Sequence, residues 1–356
     1  MEHKDFVECL KKYRELIWPV IDNNLKTIVD FEKSCRPKKK YQFLVDLHQE
    51  IFEVYPKRMG KYFRPSMVML TGEAMGVSRD KLLNTAAAQQ LSEEWILIHD
   101  DVEDDSAQRR GKEALHHIYS KELAINAGDA LHVLMWRMLQ NNRKIIGEDK
   151  TFEIMAEFSR MLNRTVLGQT IEIKWTQENK KNLEDEDILL ILESKTGYYT
   201  VAGPMREGAI IAGASPNQME KIYEFGKLTG YCFQIKDDLL DLTSDFAGLK
   251  KQTGNDIYEG KRTIMLAHLM RVIEGEDKRK LSNVLEKDRY HKSPDEVEWV
   301  IEKMKEYGSL DYADRLMKKF GQEAQEYFLK NLGFLKKSPA RDFLEYLPEF
   351  LINRDH

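Results

Sequence analysis

The stretch WILIHDDVEDD, residues 95–105, is an apolar run that leads directly into the acidic cluster DDVED at 100–104. A second stretch, FQIKDDLLD at 233–241, ends in the cluster DDLLD at 237–241. Both clusters have the form DDxxD, so on a helix the first and last Asp of each share a face, one turn apart. This much like charge beside apolar helix positions requires divalent cations. Oxygen ligands without Cys or His indicate magnesium, which usually also binds substrate phosphates.

Helical periodicity extends along nearly the whole chain, and the alternation typical of strands is almost absent. The main helical segments are predicted at about 5–31, 42–54, 65–75, 80–105, 115–140, 150–175, 185–213, 216–242 and 262–272. Gly and Pro residues separate them, without a long linker or a repeat. The sequence therefore predicts an all-α fold with one domain over 1–356, core motifs in 60–263 and further helices in 264–356. Its core helices must bring the two acidic clusters to a shared cavity.

The composition is that of a globular protein, with 42% hydrophobic and 32% charged residues. The formal net charge of −5 gives no general attraction to nucleic acid or to membranes. Cys9, Cys35 and Cys232 lie far apart and are expected to be free thiols in a reducing compartment. No stretch approaches the roughly 18 consecutive apolar residues of a membrane span, and the charged N-terminus lacks a secretory core. We therefore expect a cytoplasmic protein without a membrane span or a nucleic-acid partner.

Basic motifs flank both acidic clusters: GKYFRP at 60–65, RRG at 109–111, KTG at 195–197, KQTGND at 251–256 and GKRT at 260–263. A single Lys or Arg is more often a surface charge than a ligand. Paired arginines close behind a carboxylate cluster are better candidates, because an Arg fork binds phosphate oxygens bidentately and Lys supplies a compact point charge. Acids for metal and bases for phosphate together predict a clamp for diphosphate.

In this order, the motifs resemble those of the trans-isoprenyl diphosphate synthases, the family that includes farnesyl and geranylgeranyl diphosphate synthases. The resemblance extends from residue 60 to residue 263 and rests on the ordered set, since DDxxD alone is a weak signal. It implies a single-domain helical bundle of the isoprenoid synthase type with a central active-site cavity, assembled as a homodimer. It also implies a prenyltransferase that joins isopentenyl diphosphate head-to-tail to allylic prenyl diphosphates.

The resemblance implies roles for individual residues. The expected ligands of three Mg²⁺ ions are Asp100, Asp104 and Asp237, supported by Asp101, Asp238 and Asp241. The expected ligands of the allylic diphosphate are Arg109, Lys195, Lys251 and Lys261. The expected site for isopentenyl diphosphate consists of Lys61, Arg64, Glu93 and Arg110. The expected catalytic residues are Lys195, Thr196 and Gln234, of which Thr196 and Gln234 place oxygen dipoles near the reacting allylic carbon.

Glu93 departs from the family pattern. Relatives commonly carry His or Gln seven residues before the first Asp, where that side chain contacts isopentenyl diphosphate, but here Glu93 is followed by Glu94. A carboxylate beside a diphosphate is repulsive unless a cation or a proton intervenes. Either Glu93 is paired with a neighbouring Lys or Arg, or the site for isopentenyl diphosphate is built differently.

Trp95 and Ile96 are candidates for a floor that limits product length. They precede Asp100 by five and four residues, which is roughly 6–7.5 Å down the helix along which a prenyl chain would grow. Ordinary core packing of Trp95 is the alternative. A bulky aromatic here, without an insertion in the first DDxxD, resembles archaeal-type geranylgeranyl enzymes, whereas eukaryotic farnesyl enzymes tend to carry two adjacent aromatics. The expected product is therefore C20, with C15 as the alternative.

Other functions fit the motifs less well. A class I terpene cyclase normally carries an Asn/Asp-rich second motif and binds only one diphosphate, and head-to-head synthases favour DTxED-like motifs. A di-iron carboxylate protein needs two ExxH motifs, and the sequence offers one, at 113–116. An inactive regulatory subunit usually loses an acidic motif, whereas both are intact here.

Overall fold

Helices form nearly all of the computed structural model, which describes residues 2–29, 35–243 and 253–354. The helices are α1 (His3–Leu25), α2 (Gln42–Lys57), α3 (Phe63–Ala74), α4 (Arg79–Glu103), α5 (Leu115–Ile118), α6 (Lys121–Asn141), α7 (Arg143–Ile146), α8 (Glu148–Gln177), α9 (Asp185–Ile191), a π-helix (Leu192–Ala202), α10 (Gly203–Ala212), α11 (Pro216–Thr243), α12 (Asn255–Glu259), α13 (Ile264–Val272), α14 (Gly275–Leu285), α15 (Pro294–Glu306), α16 (Ser309–Asn331) and α17 (Pro339–Asn353). Short 3₁₀ turns lie at Lys39–Tyr41 and Arg289–His291. The predicted all-α fold is confirmed.

Helix α4 lies at the centre of the bundle, packed against α1, α3 and α6. Its residues 84–94 are buried on every side, and the run of small residues Ala86–Ala88 lets neighbouring helices approach closely. A helix that is buried all round belongs to the core of a protein. The first acidic cluster comes at the C-terminal end of this helix, where the chain leaves the core, so its carboxylates lie at the rim of the buried region.

Helix α11, which carries the second acidic cluster, packs against the π-helix and α16. A Cβ added to Gly230 of α11 would lie 2.3 Å from the Cα of Gly197 in the π-helix, a distance that real Cβ atoms essentially never show. Glycine at this crossing therefore lets the two backbones touch. As a result, Gln234, one turn further along α11, lies within hydrogen-bonding reach of Thr196.

The predicted helix 185–213 is three successive segments: α9, the π-helix and α10. The π-helix has i→i+5 hydrogen bonds, a wider turn that occurs mostly as short insertions and often at functional sites. Lys195 and Thr196 both lie in this segment. Periodicity in the sequence cannot distinguish it from an α-helix, because nine of its eleven residues are buried and leave no apolar stripe whose spacing could be read.

A two-stranded hairpin positions the paired arginines. Strand β1 (Gln108–Arg109) pairs antiparallel with β2 (Lys112–Glu113), and these are the only strands within the described residues. The two turn residues, Arg110 and Gly111, both have positive φ, as a type I′ hairpin turn requires. The predicted helix 115–140 begins after this hairpin but is divided into α5 and α6, because Ser120 accepts a hydrogen bond from the amide of Leu123 and caps α6.

The C-terminal helices complete the bundle: α16 packs against α11, and α17 packs against α3, α11 and α16. In the described ranges, every helix is too short or too polar to cross a lipid bilayer.

Candidate active site

The C-terminal end of α4 and the acidic cluster of α11 face one cavity of about 490 Å³. Asp100, Asp104 and Asp237, the three predicted metal ligands, all line it. Its basic lining residues are Arg64, Arg109, Lys195, Lys261 and Arg289. Asp100 and Asp237, which are 137 positions apart in the sequence, thus line the same space, with both signs of charge around it.

Asp101 is turned away from the cavity and is completely buried. It accepts hydrogen bonds from the Tyr55 hydroxyl at 2.5 Å and from Arg109 Nε at 2.9 Å. Arg109 in turn reaches the cavity, where its Nη2 lies 3.8 Å from Asp100 Oδ2. Burial opposes the charge of Arg109, but the carboxylate of Asp101 outweighs it and raises the pKa of the guanidinium. Asp101 therefore holds Arg109 charged and pointed at the first acidic cluster.

Asp238 has the corresponding position on α11. It is buried and accepts hydrogen bonds from Gln234 Nε2 at 2.8 Å and from Lys261 Nζ at 3.0 Å. Lys261 also lies 3.4 Å from Asp256. Asp241 binds the backbone instead, accepting a hydrogen bond from the amide of Asp256 at 3.1 Å. Asp238 and Asp241 therefore fix Lys261 and the start of α12 against the cavity.

Lys195 lies between two acids of the cavity. Its Nζ donates to Glu172 Oε1 at 2.6 Å and lies 3.4 Å from Asp100 Oδ1. Burial alone would lower the pKa of Lys195, but the charges of Glu172 and Asp100 outweigh it and raise the pKa, so the side chain stays protonated. A Cβ on Gly168 of α8 would lie 2.8 Å from the backbone nitrogen of Lys195, so this glycine permits the close approach that pairs α8 with the π-helix.

The hydroxyl of Thr196 donates a hydrogen bond to Gln234 Oε1 at 2.8 Å. Because Gln234 also donates to Asp238, a chain of hydrogen bonds runs from the π-helix through α11 to Lys261. Thr196 and Gln234 both line the cavity.

Two acids of the first cluster are affected oppositely by their surroundings. Burial works against the charge of Asp100, but Lys195 and Arg109 outweigh it and lower the pKa. At Asp104, burial is reinforced by the negative charges of Asp100 and Glu259, which raise the pKa to about 8. The cations in the cavity therefore satisfy Asp100 and leave Asp104 short of positive charge.

Divalent cations would supply the positive charge that Asp104 lacks. The carboxylates of Glu172, Asp256 and Glu259 also line the cavity, and Asp238 Oδ2 is buried without a hydrogen-bond partner among the described residues. The donors are carboxylate oxygens, which are the ligands that Mg²⁺ prefers. The residues present therefore fit divalent cations.

The predicted site for isopentenyl diphosphate is partly assembled. Arg64 Nη1 lies 3.4 Å from Glu93 Oε2, and Arg110 Nη2 lies 3.6 Å from Glu93 Oε1. Arg110 also donates to Glu94 at 2.9 Å and 3.0 Å. Glu93 is thus paired with arginines, the first of the two alternatives that the sequence allows. Arg64 and Glu93 line the cavity, Arg110 lies behind them, and Lys61 is exposed and outside the lining.

Trp95 and Ile96 both line the cavity on the side of α4. The Trp95 ring also stacks on His132 of α6, with centroids 4.0 Å apart and planes 11° from parallel. His132 is fixed by a hydrogen bond from Trp136 Nε1 at 2.8 Å. Trp95 therefore packs against α6 and also lines the cavity. A floor that limits product length and ordinary core packing are thus compatible interpretations of this residue.

Several side chains of the site carry no signal in the sequence. Glu172 of α8 and Glu259 of α12 stand outside any motif, and Arg354 follows the last helix. Arg354 Nη2 lies 3.2 Å from Asp237 Oδ1, and its guanidinium stacks 4.2 Å from the Phe233 ring centroid. The C-terminal helices thus deliver a cation onto the second acidic cluster. Lys251, predicted to bind the allylic diphosphate, lies outside the described residues.

The fold and the cavity define the class: an all-helical protein in which two aspartate clusters share one cavity lined with basic side chains. Residues 45–304 match the sequence profile of the polyprenyl synthetase family. A short chain isoprenyl diphosphate synthase from Methanothermobacter thermautotrophicus is 29% identical over 333 residues, which cover 89% of this chain and 98% of that protein.

A geranylgeranyl diphosphate synthase from Methanosarcina mazei is 30% identical, over 83% of this chain and 86% of its own. Among solved structures, geranylgeranyl pyrophosphate synthetase from Pyrococcus horikoshii Ot3 superposes with a TM-score of 0.83 and 28% identity, covering 99% of this chain and 100% of that one. The chain belongs to the polyprenyl synthetase family. Both the predicted family and the predicted enzyme class, a prenyltransferase, are confirmed.

The raised pKa of Asp104 predicts how stability depends on pH in the metal-free protein. Because the folded-state pKa of about 8 lies above the ordinary 3.8, the native state binds more protons than the unfolded state between these values. This carboxyl therefore stabilises the fold at low pH, and its contribution is lost as pH rises toward 8. Urea unfolding should show a smaller loss of stability between about pH 5 and pH 8 in Asp104→Asn than in wild type.

The exposed Asp80, at the other end of the same helix, provides the control variant Asp80→Asn, which should keep the wild-type pH dependence. Adding Mg²⁺ should raise the free energy of unfolding of the wild type more at pH 8 than at pH 5, since ion and proton compete for the same carboxylates. If the free energy of unfolding depended on pH identically in wild type and Asp104→Asn, the pKa of Asp104 would not be raised in the folded protein.

Proposed function

We propose that the chain joins isopentenyl diphosphate head-to-tail to allylic prenyl diphosphates and forms a short all-trans product, mainly geranylgeranyl diphosphate, C20. The observation that carries this proposal is the cavity in which Asp100 and Asp104, at the C-terminal end of α4, meet Asp237 of α11 beside partly buried cations. The named relatives from Methanosarcina mazei and Pyrococcus horikoshii support the choice of product.

Asp100, Asp104 and Asp237 would hold the Mg²⁺ ions, three per site by analogy with the family. When bound, these ions supply positive charge that stabilises the diphosphate as a leaving group. The protein adds its own cations for the allylic diphosphate. Arg109 and Lys195 are held at the cavity by Asp101 and Glu172, so both are charged and positioned before substrate arrives. Lys261 is held likewise by Asp238, and Lys251 is assigned to the same diphosphate from the motif alone.

Thr196 and Gln234 suit the next stage, in which the allylic C–O bond breaks and leaves a carbocation. The Thr196 hydroxyl hydrogen points to Gln234 Oε1, so the lone pairs of the hydroxyl oxygen are free to face positive charge. Such oxygen dipoles favour a cation without forming a covalent bond to it. The double bond of isopentenyl diphosphate then attacks the cation carbon, and the departing diphosphate takes the proton that is lost. No His base is needed.

For isopentenyl diphosphate, the proposed site is Arg64 and Arg110, together with the exposed Lys61 in the segment before α3. Glu93 lies between the two arginines at 3.4 Å and 3.6 Å, which reduces its repulsion of an incoming diphosphate. The Glu93 carboxylate also neutralises part of the positive charge of these two arginines. We therefore propose that Glu93 orients the two guanidinium groups rather than contacting the substrate.

We further propose a homodimer that works in the cytoplasm. Helices α6 and α8 both expose large apolar side chains, which a second copy of the chain could cover. These side chains are Leu123, Ile125, Val133, Phe152, Val166 and Leu167. The mass of the purified chain in solution, measured by light scattering, decides between one copy and two.

Incubation with Mg²⁺, isopentenyl diphosphate and farnesyl diphosphate, followed by chromatography of the products, tests the activity. Geranylgeranyl diphosphate is the expected product of the wild-type chain. Asp100→Asn should lower turnover by at least about a hundredfold, the scale of losing one preorganised charge-stabilising group. Asp80→Asn, on the same helix but exposed and far from the cavity, should keep the wild-type rate. Cyclic hydrocarbon products, or a normal rate in Asp100→Asn, would contradict the proposal.

Trp95→Ala should lengthen the product. The substitution removes the aromatic wall on the α4 side of the cavity and leaves space toward His132, so the chain can accept further five-carbon units. Chromatography should then show C25 and longer diphosphates in place of C20. Trp299→Ala, which removes a half-buried Trp of α15 outside the cavity lining, is the matched control. If the Trp95→Ala enzyme still made C20 as its longest product, Trp95 would not be the residue that limits product length.

A further inference from the structure

Beside the substrate cavity lies a second group of potential metal ligands: Asp105, His116 and His117. Asp105 directly follows the first acidic cluster, and the two histidines belong to α5. One ligand atom from each side chain can be chosen so that all of them lie within 4.8 Å of one another. The group joins the two ends of the loop that carries Arg109 and Arg110.

His116 is the unusual member of this group. Its side chain is only 1% exposed, and neither ring nitrogen has a hydrogen-bond partner among the described residues. A buried polar group without a partner is costly, and such groups in native proteins usually bind water or an ion. Its Nε2 lies 3.6 Å from Asp105 Oδ1, just beyond hydrogen-bonding distance. The imidazole is therefore aimed at the carboxylate with a gap between them.

The chemistry and spacing of the group suit a metal ion. Two ligands of a tetrahedral zinc ion, with bonds of about 2.0–2.1 Å, lie roughly 3.3 Å apart. The distance of 3.6 Å between His116 Nε2 and Asp105 Oδ1 is close to this value. Imidazole nitrogens select zinc, cobalt or nickel over magnesium, which prefers oxygen. His117 is exposed, with its ring centroid 4.1 Å from that of His116, and can turn its ring toward the same point.

We propose that Asp105, His116 and His117 bind one divalent transition-metal ion of the zinc class, at a site separate from the magnesium carboxylates. The ion ties Asp105, at the end of α4, to α5 and closes the loop around the β1–β2 hairpin. Three protein ligands leave a fourth position for water. The site steadies Arg109 and Arg110 from behind and takes no part in the prenyl transfer.

One neighbouring cation competes with this ion. Lys121 Nζ lies 3.2 Å from Asp105 Oδ1, and the Lys121 side chain is 57% exposed. Because so much of it is in solvent, it can swing away when the ion binds, at the cost of one exposed ion pair. Removing this lysine should therefore tighten metal binding, an effect opposite in sign to removing a ligand.

Calorimetric titration of the full chain with Zn²⁺, in excess Mg²⁺ to occupy the aspartate clusters, tests the proposal. One Zn²⁺ per chain is expected. His117→Ala should weaken binding at least about tenfold, the lower end of the loss seen when even an indirect partner of a metal ligand is removed. Because His117 is exposed, the variant should fold. Lys121→Ala should bind more tightly than wild type. His291→Ala, which removes an exposed His that pairs with Asp288 at 2.8 Å, should match wild type.

Visible absorption of the Co²⁺-loaded protein gives a second readout, since ligation by two histidines and a carboxylate produces the stronger bands of a four-coordinate ion. These bands should be lost in His117→Ala and kept in Asp100→Asn. Zn²⁺ binding that survives His117→Ala, or that disappears in Asp100→Asn, would place the ion in the aspartate clusters and overturn the proposal.

Discussion

Repulsion among carboxylates around one cavity is the constraint on which the rest of the site depends. Acids from α4, α8, α11 and α12 converge there, and burial makes the negative charges of Asp104 and Glu259 more costly. The protein meets part of this cost with its own cations, among them Lys195 beside Asp100 and Lys261 beside Asp238. The remainder, visible at Asp104, is what divalent ions would satisfy. The site is thus unbalanced by itself and suited to bind metal and diphosphate together.

Close packing of the helices places these cations beside the acids of the cavity. The touching backbones of Gly197 and Gly230 bring the π-helix against α11, and Gly168 brings α8 against Lys195. Arg109 and Lys195 are then fixed by acids other than Asp100, Asp104 and Asp237: Arg109 by Asp101, and Lys195 by Glu172. The same pattern, an outer group that orients an inner one, recurs on both sides of the cavity. It explains why each DDxxD cluster contains an acid that faces away from the cavity.

Much of this arrangement could be predicted from the sequence. Two DDxxD clusters at the ends of apolar helical runs, with basic motifs between them, predict the helices, the pairing of 100–104 with 237–241 and the type of ligand. Other parts could not be predicted, because they depend on tertiary contacts alone. Glu172 and Arg354 stand in no motif, and the π-helix is buried almost throughout, so its sequence shows no spacing that would distinguish it from an α-helix. The pairing of Glu93 with Arg64 and Arg110 needed coordinates to distinguish it from a differently built site.

The central claim is that two helices distant in the sequence trap divalent ions between their aspartates. Crystals grown with Mn²⁺ in place of Mg²⁺ and with a non-cleavable allylic diphosphate analogue test it directly, because Mn²⁺ can be located by its anomalous scattering. The account predicts anomalous peaks within coordination distance, about 2.0–2.3 Å, of carboxylate oxygens of Asp100, Asp104 and Asp237. Anomalous peaks within coordination distance of only one of the two helices would contradict it. So would a diphosphate bound with no metal ion between α4 and α11.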